Sequence, residues 1–276
     1  MTTKTRSLGE SLGDVRPVGE QLRAWRQRRR LSQLELSARA DVSTRHLSFV
    51  ETGRSKPSRE MVLRLAEHLQ VPLRDRNLLL VAAGYAPVYT ETPIEEPRMD
   101  AVRAALRQVL AGHEPYPAVV VDRFWNLIDA NGAAAFFMED APAELLEPPL
   151  NVLRLSMHPD GLARNIVNLG EWRAHMIDRV RRHVALTADP ALADLYRELR
   201  DYPGAEAAAE PAPPPAGHEV FVPLRLRLDD GRRLSFFTTI ATFGTPVDIT
   251  VAELAIESFY PADEATGAFL RERAGW

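Results

Sequence analysis

The sequence predicts two domains of different class: an all-α domain of five short helices, then an α+β domain in which an antiparallel sheet packs with helices. Three observations carry this. Over residues 18–84 the apolar spacing is helical and is cut at short intervals by caps and by glycine or proline stops. Beyond residue 115 the period changes, and Val, Ile, Phe and Trp gather into short runs typical of strands. Charge is divided as well: residues 16–60 carry eleven Arg/Lys against five Asp/Glu, although the chain of 276 residues is net −4. A basic module joined to an acidic body implies that only the first part meets a polyanion.

The elements follow in order. Residues 1–15 read as a flexible tail and 16–86 as the helical domain. VGEQLRAWRQRRR places Leu22 and Trp25 three apart among arginines. LSQLELSARA opens on Ser32 with Glu35 three residues later, a capping-box pattern. STRHLSFVETG is a third helix, capped by Ser43, apolar along Leu47 and Val50, and stopped by Gly53. SREMVLRLAEHL starts at Ser58 after Pro57 and aligns Met61, Leu65 and Leu69; LRDRNLLLVAAG ends at Gly84. Residues 87–98, acidic and punctuated by proline, read as a linker. The second domain, 99–276, opens with a helix from Met99 to Ala111. Two short strands follow in PAVVVDRFWNLIDAN, then helices over 131–200. Residues 203–217 are too poor in apolar side chains to build a core and read as a disordered loop. A hairpin turning at Asp230-Gly231, a third strand near AELAIESFYP and a closing helix complete the chain.

Several function classes are excluded. No run approaches the roughly 20 apolar residues of a membrane span, and the N-terminus lacks a secretory apolar region. The chain has no cysteine, so it has neither disulfides nor thiolate metal sites. A cytoplasmic location fits these features. No nucleophile elbow, phosphate loop, dinucleotide fingerprint or zinc-protease motif is present. The histidines at 113, 158, 175, 183 and 218 are scattered. Glu253 and Glu257 fit the exposed face of a strand, and Asp263 with Glu264 a helix N-terminus. No catalytic residue, metal site or cofactor is expected.

Only Ala40-Asp41-Val42 separates the second and third helices, the spacing of a helix-turn-helix, whose second helix enters the major groove. LSQLELSARADVSTRHLSFVETGRSKPS resembles the repressor-like helix-turn-helix of the xenobiotic-response-element class. The matching features are Ser32-Gln33, Leu36, Val42, Leu47, Glu51, Gly53 and Pro57-Ser58. Asp41 stands where that class more often has glycine, and aspartate tolerates the positive φ the turn needs. The resemblance implies that Gln33 contacts the DNA backbone at the start of the second helix. It also implies that Ser43, Thr44, Arg45, Ser48 and Phe49 face the groove, and that Arg54, Ser55 and Lys56 meet phosphates. His46, at the edge of that face, is a phosphate contact or a bystander. Independently, arginine can donate two bonds to a guanine edge, and an aromatic ring can pack on a thymine methyl. Phe49 alternatively buries against a neighbouring subunit or loop. Readers of this kind bind palindromic double-stranded operators as homodimers, which places this one on the nucleoid.

A second resemblance covers the body of the chain. PYPAVVVDRFWNLIDANGAAAFF, NVLRLSMHPDGLARNIVNLGEWRAHMIDRVRR, DPALADLYRELRDYP and FFTTIATFGTPVDITVAELAIESFYPAD together resemble the ligand-binding domain of MmyB-like transcription regulators. That implies a PAS-like fold, an antiparallel sheet with helices over one face, enclosing a pocket for a small hydrophobic, fatty acid-like ligand. Phe136, Phe137, Met138, Leu155, Met157, Trp172, Met176, Phe237 and Phe243 are candidates to line it. Arg164, Asn168, Arg173 and His175 are candidate donors to a carboxylate head. The expected protein is a one-component regulator, a repressor or activator whose operator binding the ligand modulates. The alternative is a DNA-binding regulator whose second domain is a ligand-free dimerisation or docking module.

Overall fold

A computed structural model describes residues 16–203 and 221–276. The expected tail and most of the expected 203–217 loop lie outside the described residues. The chain divides after Glu91 into two compact units, with Val247–Ile249 grouped with the first.

The first unit is built on α1 (Val18–Arg28), α2 (Gln33–Arg39), α3 (Thr44–Glu51), α4 (Arg59–His68) and α5 (Leu73–Ala82). Local chemistry sets their ends. Ser32 Oγ accepts from the Glu35 N–H at 3.1 Å and Glu35 Oε2 accepts from the Ser32 N–H at 2.7 Å, closing the capping box. The Ser43 and Ser58 hydroxyls cap α3 and α4, accepting from the His46 and Met61 N–H groups. Asp41 takes φ 50° in the turn between α2 and α3, and Gly53 takes φ 73° after α3. Leu22, Trp25, Leu36, Leu47, Val50, Met61, Leu65, Leu69, Leu79 and Leu80 form one buried core. Residues 87–91 of the expected linker are tied to α5: buried Asn77 accepts from the Val88 and Tyr89 N–H groups and donates to the Tyr89 carbonyl.

The second unit contains α6 (Asp100–Gly112), β1 (Ala118–Val121), β2 (Leu127–Ala130), α7 (Ala143–Leu146), α8 (Val152–Met157), α9 (Leu169–Thr187), α10 (Pro190–Asp201), β3 (Leu224–Arg227), β4 (Arg233–Thr242), all but the first residue of α11 (Ile249–Ala252), β5 (Ala255–Pro261) and α12 (Glu264–Ala274). Short 3₁₀ turns at Gly132–Phe137 and Leu162–Asn165 join them. The sheet is antiparallel throughout with order β2-β1-β5-β4-β3, so the late strand β5 sits at its centre beside β1 and β4. This is the PAS-like arrangement. Helices cover both faces of the sheet, not one. Residues of α8–α10 and α12 pack with Val119, Val121, Leu224, Leu234, Phe236 and Phe259 on the first face. Leu106 and Leu110 of α6 pack with Ala118, Val120, Leu254 and Ile256 on the other. Alternation along β5 therefore separates two apolar surfaces rather than core from water.

Candidate nucleic-acid interface and ligand cavity

Buried Leu47 and Val50 seat α3 on the core. Its other face keeps Arg45 exposed and Ser48 and Phe49 half-buried. The ring of Phe49 has cationic neighbours: the Arg45 guanidinium lies 5.4 Å from its centroid and that of Arg54 6.0 Å. Phe49 is thus a platform that steadies two arginines by cation–π attraction. Its carbonyl accepts from the Arg54 and Ser55 N–H groups at 2.8 and 3.1 Å, fixing the loop that carries Arg54, Ser55 and Lys56. Lys56 Nζ stands 5.2 Å over the Tyr85 ring, whose hydroxyl donates to the Pro57 carbonyl. Among the described residues Arg45, Arg54 and Lys56 have no ion-pair partner.

Three other sequence-derived candidates are engaged inside the domain. Ser43 Oγ is the α3 cap, accepting from the His46 N–H. The Thr44 hydroxyl is 2.8 Å from that of Ser37 on α2. Gln33 Nε2 donates to Glu51 at 2.8 Å. That last bond belongs to a latch the sequence reading passed over. Glu51 is 4% exposed and accepts from Arg26 Nε at 2.7 Å and Nη2 at 2.9 Å, while Arg26 Nη1 donates to the Leu31 carbonyl. The carboxylate raises the Arg26 pKa above its ordinary value by hydrogen bonding. The latch joins α1, α2 and α3. A signal was available: Glu51 falls on the Leu47/Val50 stripe of α3, where an unpaired carboxylate would be costly. Gly19 of α1 makes the same contact close, since a Cβ there would lie 2.2 Å from the Val50 carbonyl oxygen.

In the second unit two adjoining cavities open on the first face of the sheet. The outer, about 290 Å³, is lined by Phe136, Phe137, Leu162, Leu226, Leu228 and Phe269 and by a charged rim including Arg164, Arg232 and Arg273. The inner, about 60 Å³, is lined by Val119, Phe137, Met138, Leu153, Leu155, Leu162, Trp172, Met176 and Phe259, with Ser156 and Glu257 as its polar side chains. Phe137 and Leu162 belong to both walls. Six of the nine expected apolar residues thus meet: Phe136, Phe137, Met138, Leu155, Trp172 and Met176.

The other candidates stand elsewhere. Met157 is buried in the core and lines neither cavity. Phe237 lies across the sheet from Phe236, stacked 5.0 Å from Tyr260, and Phe243 packs with the α6 cluster. Arg173 is no head-group donor, because its guanidinium is 1% exposed and spent on the carbonyls of Leu199, Arg200, Tyr202 and Pro203. Asn168 straps α9 to β3, donating to the Pro223 carbonyl and accepting from the Arg225 N–H. His175 lies beside Trp172 outside both walls, with its pKa lowered by burial and by Arg179 and Arg182. Arg164 is on the outer rim, donating to the Asp140 carbonyl at 2.5 Å.

Glu257 corrects the reading of an exposed strand face. It is 5% exposed, at the centre of the sheet, and accepts from Arg179 Nη1 at 3.0 Å. Arg179 lies 4.3 Å over the Trp125 ring, and its Nη2 and the Trp125 Nε1 are buried without a hydrogen-bond partner among the described residues. Asp263 and Glu264 are at the N-terminus of α12, Asp263 accepting from the Thr266 N–H. Among the described residues no group of three or more potential ligands is placed to hold a metal ion, and no helix is long and apolar enough to cross a membrane.

A basic helix-turn-helix joined to a cavity-bearing PAS-like sheet defines a DNA-binding regulator with a ligand-binding domain. Residues 22–75 match the helix-turn-helix family and residues 102–272 match the family described as "MmyB-like transcription regulator ligand binding domain". The chain belongs to the MmyB-like transcription regulators, and neither family is enzymatic. No curated protein matches it. A solved structure described as an RNA-binding light-oxygen-voltage receptor is 13% identical over 99% of this chain and 68% of its own, with a TM-score of 0.24.

Proposed function

We propose that the protein is a one-component regulator that reads a palindromic operator as a homodimer in the cytoplasm, associated with the nucleoid. Its operator binding responds to a small hydrophobic ligand with a fatty acid-like chain. The observation that carries the DNA half is the group of cations along α3 and in the loop after it. Arg45, Arg54 and Lys56 are exposed, two of them are steadied on Phe49, and none is neutralised by a carboxylate among the described residues. In this reading Arg45 and Ser48 meet base edges, with Phe49 against them as platform or thymine-methyl contact. Arg54, Ser55 and Lys56 meet phosphates, and His46 lies at the margin. Ser43, Thr44 and Gln33 hold the frame while their remaining polar atoms face the duplex. The ligand half is supported by the paired cavities.

Operator affinity measured against salt tests the first half. Arg45→Ala is expected to relax specificity at one or two base pairs. Lys56→Ala should weaken all sequences alike and lower the salt slope by about 1. Equal effects of both on every sequence would remove Arg45 as a reader. For the second half, lipid extracted from the denatured protein is identified by mass spectrometry and returned to the operator assay. The ligand-free module remains the second reading, favoured by the small inner cavity. An operator affinity unmoved by a broad lipid panel would establish it.

A further inference from the structure

We propose that the second unit dimerises through the outer edge of β4, two copies pairing antiparallel about a two-fold axis at Ile240 so that their sheets run on as one. The proposal rests on the homodimer reading above and names the surface that makes it. The edges of the sheet differ in how they are closed. Beyond β3, the Val167 N–H donates to the Arg225 carbonyl and Asn168 accepts from the Arg225 N–H. Beyond β2, the Leu150 carbonyl accepts from the Leu127 N–H. The opening lies along β4. β3 pairs only with its residues 233–236, whereas β5 pairs with it as far as Thr242. Residues 237–242 therefore have no strand on their other side among the described residues, and Thr239, Ile240, Ala241 and Thr242 are exposed.

Which backbone groups face the opening follows from the ladder. The Leu228 N–H donates to the Arg232 carbonyl on the β3 side, and the Ala262 N–H to the Ser235 carbonyl on the β5 side. Alternation turns the even residues of β4 toward β3 and the odd ones toward β5. The pairing with β5 keeps one register to Thr242, so the N–H and C=O groups of Thr238, Ile240 and Thr242 point out of the open edge. One antiparallel register uses all three at once, with Ile240 opposite Ile240 and Thr238 opposite Thr242. Thr239 then meets Ala241. Each outward N–H finds a carbonyl of the other copy, and the opposed side chains are β-branched or small, which suits cross-strand contact. No charge opposes the pairing, because the chain from Leu234 to Val247 has no charged residue. Residues 237–242 also lack the proline or bulge that commonly keeps an edge single. This self-complementarity makes the occupant a second copy, joined by an isologous contact, rather than a foreign strand.

The chain has no cysteine, so introduced thiols report the register. Opposed Cα atoms stand about 5.5 Å apart at a hydrogen-bonded pair and about 4.5 Å apart at the others, within disulfide reach. Ile240→Cys is expected to cross-link to itself under mild oxidation. Thr239→Cys and Ala241→Cys should cross-link when co-expressed, and each far less alone. Sedimentation velocity reads the assembly without a thiol. Ile240→Lys sets two ammonium groups face to face and should weaken the dimer by about tenfold or more. Ile240→Pro removes an N–H that bonds nothing among the described residues, so it should give a folded monomer. A dimer as tight in both variants as in the native chain would overturn the proposal and leave the homodimer reading intact. So would Ile240→Cys cross-linking no faster than Thr239→Cys alone. A native chain that stays monomeric at every concentration and on operator DNA would remove the homodimer reading, and the proposal with it. The cross-linking pattern needs neither the lysine nor the proline variant, so it decides the matter even should one of them not fold.

Discussion

Replacing Glu51 by Met tests the latch under the reading helix. Glu51 accepts three bonds, two from Arg26 and one from Gln33, and the side chains of Arg26 and Glu51 are 11% and 1% exposed. Removing the carboxylate leaves the guanidinium with the Leu31 carbonyl and little water. Breaking one side of a buried pair costs about 3–5 kcal/mol, a large share of the ~5–15 kcal/mol that holds a domain. Arg26→Met strands the carboxylate and should cost a similar amount. The double variant has no buried charge and two side chains of suitable volume, so it should return to within about 1 kcal/mol of the native chain. Native-state hydrogen exchange at the Leu47 and Val50 amides reads this unit apart from the rest of the chain. Two single losses under about 1 kcal/mol that simply add in the double variant would refute the coupling. The double variant should also lose operator affinity, because only apolar packing and the close approach at Gly19 then set the angle of α3 against α1.

Other perturbations separate frame from function. Gly19→Ala places a Cβ 2.2 Å from a backbone oxygen, so α1 must retreat; a loss of about 1–3 kcal/mol is expected by thermal unfolding, and a neutral result would mean the helices are less closely apposed. Arg173→Met should destabilise the second unit by several kcal/mol, about 3, by leaving carbonyls at the end of α10 unpaired; a thermal unfolding midpoint unchanged from the native chain would contradict this. The pH dependence follows from His175 and His183, both lowered by burial, with Arg179 and Arg182 adding to the first and Arg123 to the second. Between the depressed native value and about 6.5 the unfolded chain binds more protons, so stability is complete above that pH and falls as pH drops below it. A Tm flat between about pH 5 and 7, or a slope untouched by His183→Gln, would contradict this assignment.

The parts legible in the sequence are those fixed within a few residues. Ser32 with Glu35, Ser43, Ser58, Gly53 and the Asp41 turn each state a local geometry, and the structure has each. Strand positions followed from the change of period, but not which residue faces which side. With helices on both faces of the sheet, Phe236 and Phe237 are both apolar and neither parity marks the cavity. Glu257 was misread for the same reason, since a lone acid in a strand suggests a wet face only where one exists. Arg173 and Arg26 were opaque for another reason. Their partners are carbonyls 26 to 30 residues away and a carboxylate 25 residues away, which no helical spacing encodes.

The arginines sort themselves by what saturates them, and that sorting separates frame from function better than position does. Arg26 and Arg173 have their guanidinium groups met by oxygens of their own unit, at distances that leave no room for an outside partner. Removing either should therefore be read first in stability. Arg45 and Arg54 are oriented by an aromatic face, which attracts a cation without consuming its N–H donors. A phosphate or a guanine edge can still claim all of those donors, so their loss should be read in affinity with stability unchanged. Arg179 falls between the classes, with one nitrogen bonded to Glu257 and the other buried and unmet. Burial without saturation costs free energy that the frame does not recover. For that reason the Arg179–Glu257 pair, and not the fully satisfied Arg173, is the place in the second unit where a substitution that supplies an acceptor to Arg179 Nη2 should stabilise the frame.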